Sequence, residues 1–254
     1  MSEHVVENRR YWDSVADSWA ERGARDFARS TPAWGMWSIP DAELSLFPSE
    51  LRDKDAIELG CGTAYVSAWM ARRGARVVGI DNSERQLATA RLLSARYGDE
   101  LTLIHGNAES VPYPDASFDF AVSEYGAALW CNPYTWIPEA HRLLRTGGEL
   151  AFLTQSTLAH LCTGPDGLAV TDRLSRPTFG LHALDWRHAG PGSGGVEFNL
   201  PASGWFALFR RVGFEVIDFI EVQAPAAASG MPFTVPADWA RAHPSEQVWK
   251  LRKR

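Results

Sequence analysis

Between residues 55 and 155 the chain alternates short apolar runs with segments of helical spacing, and no other feature restricts the fold as much. The runs are AIELG from Ala56, RVVGID ending at Asp81, LTLIHG from Leu101, FDFAVSE from Phe118 and GELAFLTQ from Gly148. Helical segments over Thr63–Arg73, Ser83–Tyr97 and Pro133–Leu144 lie between them. These are aliphatic or β-branched runs bounded by glycine or acidic residues, as expected for a parallel sheet covered on both faces. Strands joined through helices make right-handed crossovers, so the expected class is α/β with a doubly wound, mostly parallel sheet. Further strands near Phe214–Val222 and Gln247–Leu251 bring the expected sheet to seven. Upstream, Tyr11, Val15 and Trp19 recur at helical spacing within Val5–Arg22 and predict an amphipathic helix, and Pro40-Asp41 opens a short helix through Phe47. Residues 156–202, rich in Gly, Pro, His and aromatics, form an insertion after the fifth strand, before a helix around Gly204–Val212.

Composition removes whole classes of partner. A chain of 254 residues with 45% hydrophobic residues can bury one large core. Its net charge of -6 opposes nucleic-acid and anionic-membrane surfaces, which need a basic field to release counterions. The basic cluster Lys250, Arg252, Lys253 and Arg254 reads as a solvated terminus. Cys61, Cys131 and Cys162 are odd in number and widely spaced, so neither a disulfide framework nor a metal site is expected, and a reducing cytoplasm is implied. The start, MSEHVVENRR, has no apolar stretch to act as a signal, and no run of about 18 apolar residues occurs. Of the 11 tryptophans, Trp34, Trp37, Trp130, Trp136 and Trp186 fall in loop-like sequence, which suggests an aromatic-lined cavity.

In an open α/β sheet the ligand lies beyond the carboxyl ends of the strands, where Gly60-Cys61-Gly62 sits. A dinucleotide fingerprint needs a glycine where this chain has Tyr65, and that bulk opposes a pyrophosphate. The phosphate loop is missing too: Gly62 is followed by Thr63-Ala64, and no lysine occurs from 55 to 249. Asp81, an acid closing the second strand, can accept hydrogen bonds from two vicinal ribose hydroxyls. The expected ligand therefore carries a ribose and little phosphate.

At these residues the chain resembles the class I S-adenosylmethionine-dependent methyltransferases, within the small-molecule group related to quinone- and sterol-type C- and O-methyltransferases. The resemblance rests on Glu58-Leu-Gly-Cys-Gly62, Val77-Val-Gly-Ile-Asp81, Gly106-Asn-Ala-Glu109 with Val111-Pro112-Tyr113, Phe118-Asp119 and Glu139-Ala-His-Arg-Leu-Leu-Arg-Thr-Gly-Gly148, and covers about residues 55 to 155. It implies that S-adenosylmethionine is the cofactor and S-adenosylhomocysteine the product. Gly60, Cys61 and Gly62 would let backbone approach the methionine portion, with Glu58 supporting that loop. Asp81 would hold the ribose hydroxyls beside Asn82 and Gln86, and Asn107, Ala108 and Glu109 would border the adenine. Ser123 and Tyr125 would edge the reacting methyl, and Tyr11 and Trp19 from the N-terminal helix would close over the cofactor. Two departures stand out: Ala64 where a third glycine is frequent, its methyl expected to be harmless, and Asn107 where Asp is common, its side-chain oxygen still an acceptor. A sulfonium cation also suits carboxylates and aromatic faces on physical grounds. The implied organisation is a single domain: an N-terminal helical lid (1–50), a cofactor-binding core (51–155), a substrate-covering insertion (156–202) and a C-terminal helix with strands (203–254).

Methyl transfer is an in-line displacement. Alignment alone supplies roughly 7–11 kcal/mol, so a general base is optional. Where one is used, the candidates are His160, His182 and Asp185, with His188 close by, while His105 and His141 read as structural. Asn132-Pro133-Tyr134 follows the fourth strand too late to be the Asn/Asp-Pro-Pro-Tyr motif of amino-group methyltransferases and reads as a helix start. Phe179, Leu181, Leu184 and Trp186, with Trp34, Trp37 and Trp130, would shape an apolar cavity. The expected acceptor is a small, largely hydrophobic or aromatic molecule methylated at oxygen or carbon, with no nucleic acid, no membrane and a homodimer as the candidate assembly. The alternatives are a cofactor-binding regulatory protein without turnover and a nicotinamide-dependent oxidoreductase.

Overall fold

A computed structural model describes residues 2–190 and 193–254. The chain opens with α1 (Glu3–Phe27), followed by the two-residue strands β1 (Ala33–Trp34) and β2 (Ile39–Pro40) and the single turn α2 (Asp41–Leu44). The alternating region then runs β3 (Asp55–Leu59), α3 (Tyr65–Ala71), β4 (Arg76–Asp81), α4 (Glu84–Tyr97), β5 (Thr102–His105), β6 (Phe118–Glu124), α5 (Ala127–Trp130), α6 (Pro133–Leu143) and β7 (Leu144–Gln155). The remainder is α7 (Thr157–Cys162), β8 (Ala183–Asp185), β9 (Val196–Phe198), α8 (Ala202–Val212), β10 (Phe214–Val222), α9 (Ala237–Ala242) and β11 (Glu246–Lys253).

Seven strands form one sheet in the order β10-β11-β7-β6-β3-β4-β5. The pairs β3–β4, β4–β5, β3–β6 and β6–β7 are parallel, and β11 is antiparallel to both of its neighbours. The expected doubly wound, mostly parallel class is the observed one. From β3 the chain steps outward through β4 to β5, then crosses back to place β6 on the other side of β3. This reversal makes the β3/β6 boundary the switch point at which a ligand crevice opens.

Local signals account for the boundaries that shape that crevice. Ser83 caps α4 by accepting from Gln86 N, and Gly98 ends the helix in the left-handed region. Asn132 caps α6 by accepting from Tyr134 N, with Pro133 in the first turn, as the helix-start reading required. Ala56, Ile57 and Leu59 of β3 are fully buried beneath helices on both faces.

The insertion is less irregular than its composition implied: it contains α7 and the β8–β9 hairpin. Of its expected cavity residues, Phe179 is 90% exposed, and Leu181 and Leu184 pack with Leu161 and Trp186. Trp34 and Trp136 are fully buried in the core, and Trp37 donates to Ser245 Oγ at 2.8 Å. No helix among the described residues is long and apolar enough to cross a membrane.

Candidate active site

A cavity of about 490 Å³ opens at the switch point, bounded by the turns after β3, β4, β5 and β6, by α1, and by the insertion. Glycine determines its floor. Gly60 has φ +79, and a Cβ there would meet Ala127 N and Gly126 Cα at 2.6 Å, so β3 and the segment after β6 approach closely only because it is glycine. Gly62 has φ +51, and a Cβ there would meet nothing within 4 Å. The open space beside Gly62 is the cradle in which backbone reaches a ligand. Ala64 also lies in the left-handed region at φ 62, so its methyl carries a conformational cost, contrary to the expectation that it is harmless.

Asp81 stands at the end of β4 with one carboxylate oxygen accepting from Gly62 N at 2.7 Å and the other from Ser83 N at 2.8 Å. A carboxylate offers about four lone-pair positions, so two remain for a diol. Burial raises its pKa, against the pull of the two N–H donors. Glu58 is buried behind the loop, and its Oε2 accepts from Ser67 N at 2.7 Å and Ser67 Oγ at 2.5 Å. Burial pushes its carboxyl up to about 8 despite those donors.

The other residues expected from sequence fall into two sets. Tyr11, Trp19, Cys61, Asn82, Gln86, Asn107, Ala108 and Tyr125 all border the cavity with the glycines. Asn82 also fastens α1 across the site, its Nδ2 donating to Val5 O at 2.8 Å and its Oδ1 accepting from Arg9 Nε at 3.0 Å. Asn107 turns its Oδ1 to Glu109 N at 3.0 Å. Glu109 and Ser123 are not on the wall. Glu109 Oε1 accepts from Asn132 N and bonds His4 Nε2, both at 2.7 Å, which joins the starts of α1 and α6. Ser123 is fully buried, donating to Leu59 O at 2.7 Å and accepting from Ala128 N at 3.1 Å, so it braces β6 against β3.

The base candidates are corrected in the same way. His182 packs on Tyr134 and Phe198 and bonds Asn132 Oδ1 at 3.1 Å, away from the cavity. Asp185 is exposed and pairs with Arg187. His160 is fully buried behind the wall, reaching it only through Glu197 at 3.1 Å.

Sequence reasoning missed several wall residues. Glu124, buried at the end of β6, accepts from Tyr65 OH and Gly35 N, each at 2.6 Å. It ends an apolar run in an acid just as Asp81 does, which is the signal that identifies it. Tyr65, singled out only for its bulk, borders the cavity through this bond. Arg22 is the only Lys or Arg among the described wall residues, its guanidinium 4.6 Å from the Phe233 ring centroid. Phe233 stacks between Trp19 at 5.6 Å and Tyr125 at 5.8 Å. Tyr125, Phe233 and Thr234 all have positive φ, and such strain persists where the surroundings over-determine it.

Sheet order, switch point and glycine-acid pairing define a Rossmann-like protein of the S-adenosylmethionine-dependent methyltransferase fold. Residues 57–152 match the methyltransferase domain family. A 2-methyl-6-phytyl-1,4-hydroquinone methyltransferase of Oryza sativa subsp. japonica is 33% identical over 118 residues, covering 45% of this chain and 33% of that one. The chain spans only 33–39% of the length of the first curated relatives it matches. In structure it is similar to an S-adenosylmethionine dependent methyltransferase from Mesorhizobium loti, with TM-score 0.65 and 21% identity over 84% of this chain and 96% of that one. It is also similar to the 1,6-didemethyltoxoflavin-N1-methyltransferase of Burkholderia thailandensis, solved with S-adenosylhomocysteine, with TM-score 0.56 and 17% identity over 96% and 88%. At these identities the structural likeness shows the fold.

Proposed function

We propose that the protein transfers a methyl group from S-adenosylmethionine to a small, largely hydrophobic or aromatic acceptor, at oxygen or carbon, and releases S-adenosylhomocysteine. The observation that carries this reading is that one cavity of about 490 Å³ is lined both by Gly62 and Asp81 and by Trp186 and Glu197 of the insertion. That volume lies in the ordinary range for sites that enclose small molecules, roughly 300–1,000 Å³. Donor and acceptor can share it.

Asp81 suits the ribose hydroxyls, and Asn107 with Ala108 suits the adenine edge. Arg22 is placed for a carboxylate, which matches the methionine end. The bound cofactor supplies a methyl on positively charged sulfur. The chain supplies the aromatic faces of Tyr11, Trp12, Trp19, Tyr125 and Trp130 around that charge and keeps water from it. On this reading α1 is the lid, the insertion covers the acceptor, and 1–254 act as one domain. The unpaired thiols of Cys61, Cys131 and Cys162 fit the cytoplasm. The hydroquinone-methylating relative favours a hydroxylated ring over a purely apolar one.

Calorimetry tests the reading. One S-adenosylmethionine is expected to bind per chain, and reduced nicotinamide dinucleotide none. Asp81→Ala removes charge-assisted hydrogen bonds contributing roughly 1.5–3 kcal/mol and should weaken the cofactor about tenfold or more. Unchanged affinity in that variant would refute the role given to Asp81.

A further inference from the structure

Glu197 is the only acid that the described part of the insertion contributes to the cavity wall. Its Oε2 accepts from Trp186 Nε1 at 2.8 Å and lies 3.1 Å from His160 Nε2. Which partner carries the proton in the second bond follows from Asn199. Asn199 Oδ1 accepts from Leu200 N at 2.8 Å and Trp205 Nε1 at 3.1 Å, so the amide group is oriented with Nδ2 toward Gln155 O at 2.8 Å and His160 Nδ1 at 2.9 Å. Because Nδ2 is a donor, His160 Nδ1 must hold a lone pair, and its hydrogen sits on Nε2, facing Glu197. Two N–H donors therefore fix one carboxylate oxygen. Oε1 takes no protein donor among the described residues, and the side chain keeps 17% of its surface exposed.

We infer that Glu197, and not His160, is the base that removes the hydroxyl proton of a phenolic acceptor, with His160 and Trp186 as positioning residues. The inference rests on the methyl-transfer reading. Asn199 ties β9 to the carbonyl of Gln155 at the end of β7, on the opposite side of the switch point from Asp81. Glu197, two residues before Asn199, lines the cavity together with Gln155. Trp130, Tyr125 and Leu168 border the same space and suit a flat ring. A phenol becomes more acidic as its oxygen approaches a cationic methyl donor, so a carboxylate can take its proton, whereas an aliphatic alcohol is far less acidic. In the step, the phenol O–H bond breaks and its proton goes to Glu197 Oε1. The oxygen pair forms the O–CH3 bond, the methyl–sulfur pair stays on sulfur, and Glu197 later returns the proton to water.

The test uses the full chain with S-adenosylmethionine and a fixed panel: catechol, 1,4-hydroquinone and 1,4-naphthohydroquinone, with benzylamine and cyclohexanol as the other classes. Methylation of at least one phenol is expected. Glu197→Gln should lower its kcat at least 100-fold, in the usual range for a lost general base, while cofactor affinity by calorimetry changes less than twofold. Trp186→Phe keeps an aromatic ring and removes one donor to Glu197 Oε2, so kcat should fall at least fivefold with KM changed less than twofold, a split that a merely structural tryptophan would not cause. A Glu197→Gln kcat within threefold of wild type overturns the inference, as does an unchanged Trp186→Phe kcat. If Glu197→Gln does not fold, the Trp186→Phe kcat decides alone. A wild-type chain that binds cofactor and methylates none of the phenols, or only the amine or alcohol, overturns the inference and leaves the methyl-transfer reading standing. Failure to bind S-adenosylmethionine removes both.

Discussion

Gly60 and Gly62 are two positions apart and share left-handed backbone, yet substitution at each should be felt in a different property. A methyl at residue 60 would lie 2.6 Å from the backbone after β6, atoms that cannot move aside without parting the sheet at its switch point. A methyl at 62 would project into open cavity space. Gly60→Ala is therefore expected to lower the melting temperature by many degrees. Gly62→Ala should cost stability only about 1–2 kcal/mol of left-handed strain and weaken S-adenosylmethionine at least tenfold. Thermal melts paired with calorimetry separate the two, and equal melting losses would refute the distinction. At this scale the sequence was legible wherever an apolar run ended in glycine or acid, which is how Gly60, Gly62 and Asp81, all on the cavity wall, were singled out. Glu109, Ser123, His182 and Asp185 were misplaced because residue type says nothing about which neighbours claim a polar atom first. Glu197 offered no signal, being one acid within a segment that lacks periodicity.

α1 is held over the cavity by polar ties to the elements beneath it as well as by its buried apolar side chains. Asn8 is 4% exposed, and its Nδ2 donates to Trp130 O at 2.8 Å and Val196 O at 2.9 Å while its Oδ1 accepts from Val196 N at 2.7 Å. Asp13 accepts from Ser83 Oγ at 2.6 Å, and Arg85 pairs with Asp17 at 2.7 Å. Asn8→Ala leaves three backbone groups without partners, at about 1–3 kcal/mol for each that stays buried. Amide exchange should accelerate across α1, β8 and β9 and remain unchanged in β3, β4, β6 and β7. Acceleration spread evenly over the sheet would refute a local role. The same contacts explain what sequence concealed about the insertion. Its path is set by α1, where Gly194 lies so close to Tyr11 that a Cβ would fall 2.4 Å from the ring, and no local pattern in 156–202 encodes that meeting. The parallel strands were legible because burial on both faces leaves an uninterrupted apolar run.

Across the whole molecule, buried acids set the response to pH. Glu246 is fully buried, its Oε1 accepting from Met36 N at 2.9 Å and Tyr125 OH at 2.6 Å and its Oε2 without a partner among the described residues. Burial pushes its carboxyl to about 8, as it does for Glu58, against an ordinary value of 4.5. For a group whose pKa is raised by folding, the contribution to stability is complete below the unfolded value and is lost as pH rises through the folded one. The window is therefore about pH 4.5 to 8, with stability falling across it. Asp55, held below the usual range by a hydrogen bond to Arg76, acts the other way but only under more acid conditions. Melting temperature should fall from about pH 5 to pH 8, and Glu246→Gln should flatten that slope by removing one of the groups that titrate across it. An identical slope in the variant would refute the assignment.

Placing β11 between β7 and β10 has a consequence for synthesis on the ribosome. Every other strand of the sheet is made before residues 246–253 emerge, so the nascent chain holds two long unpaired edges until its last strand slots between them. Exposed strand edges invite pairing with other chains, which makes that interval the period of greatest risk of aggregation and the point at which a chaperone would be of most use.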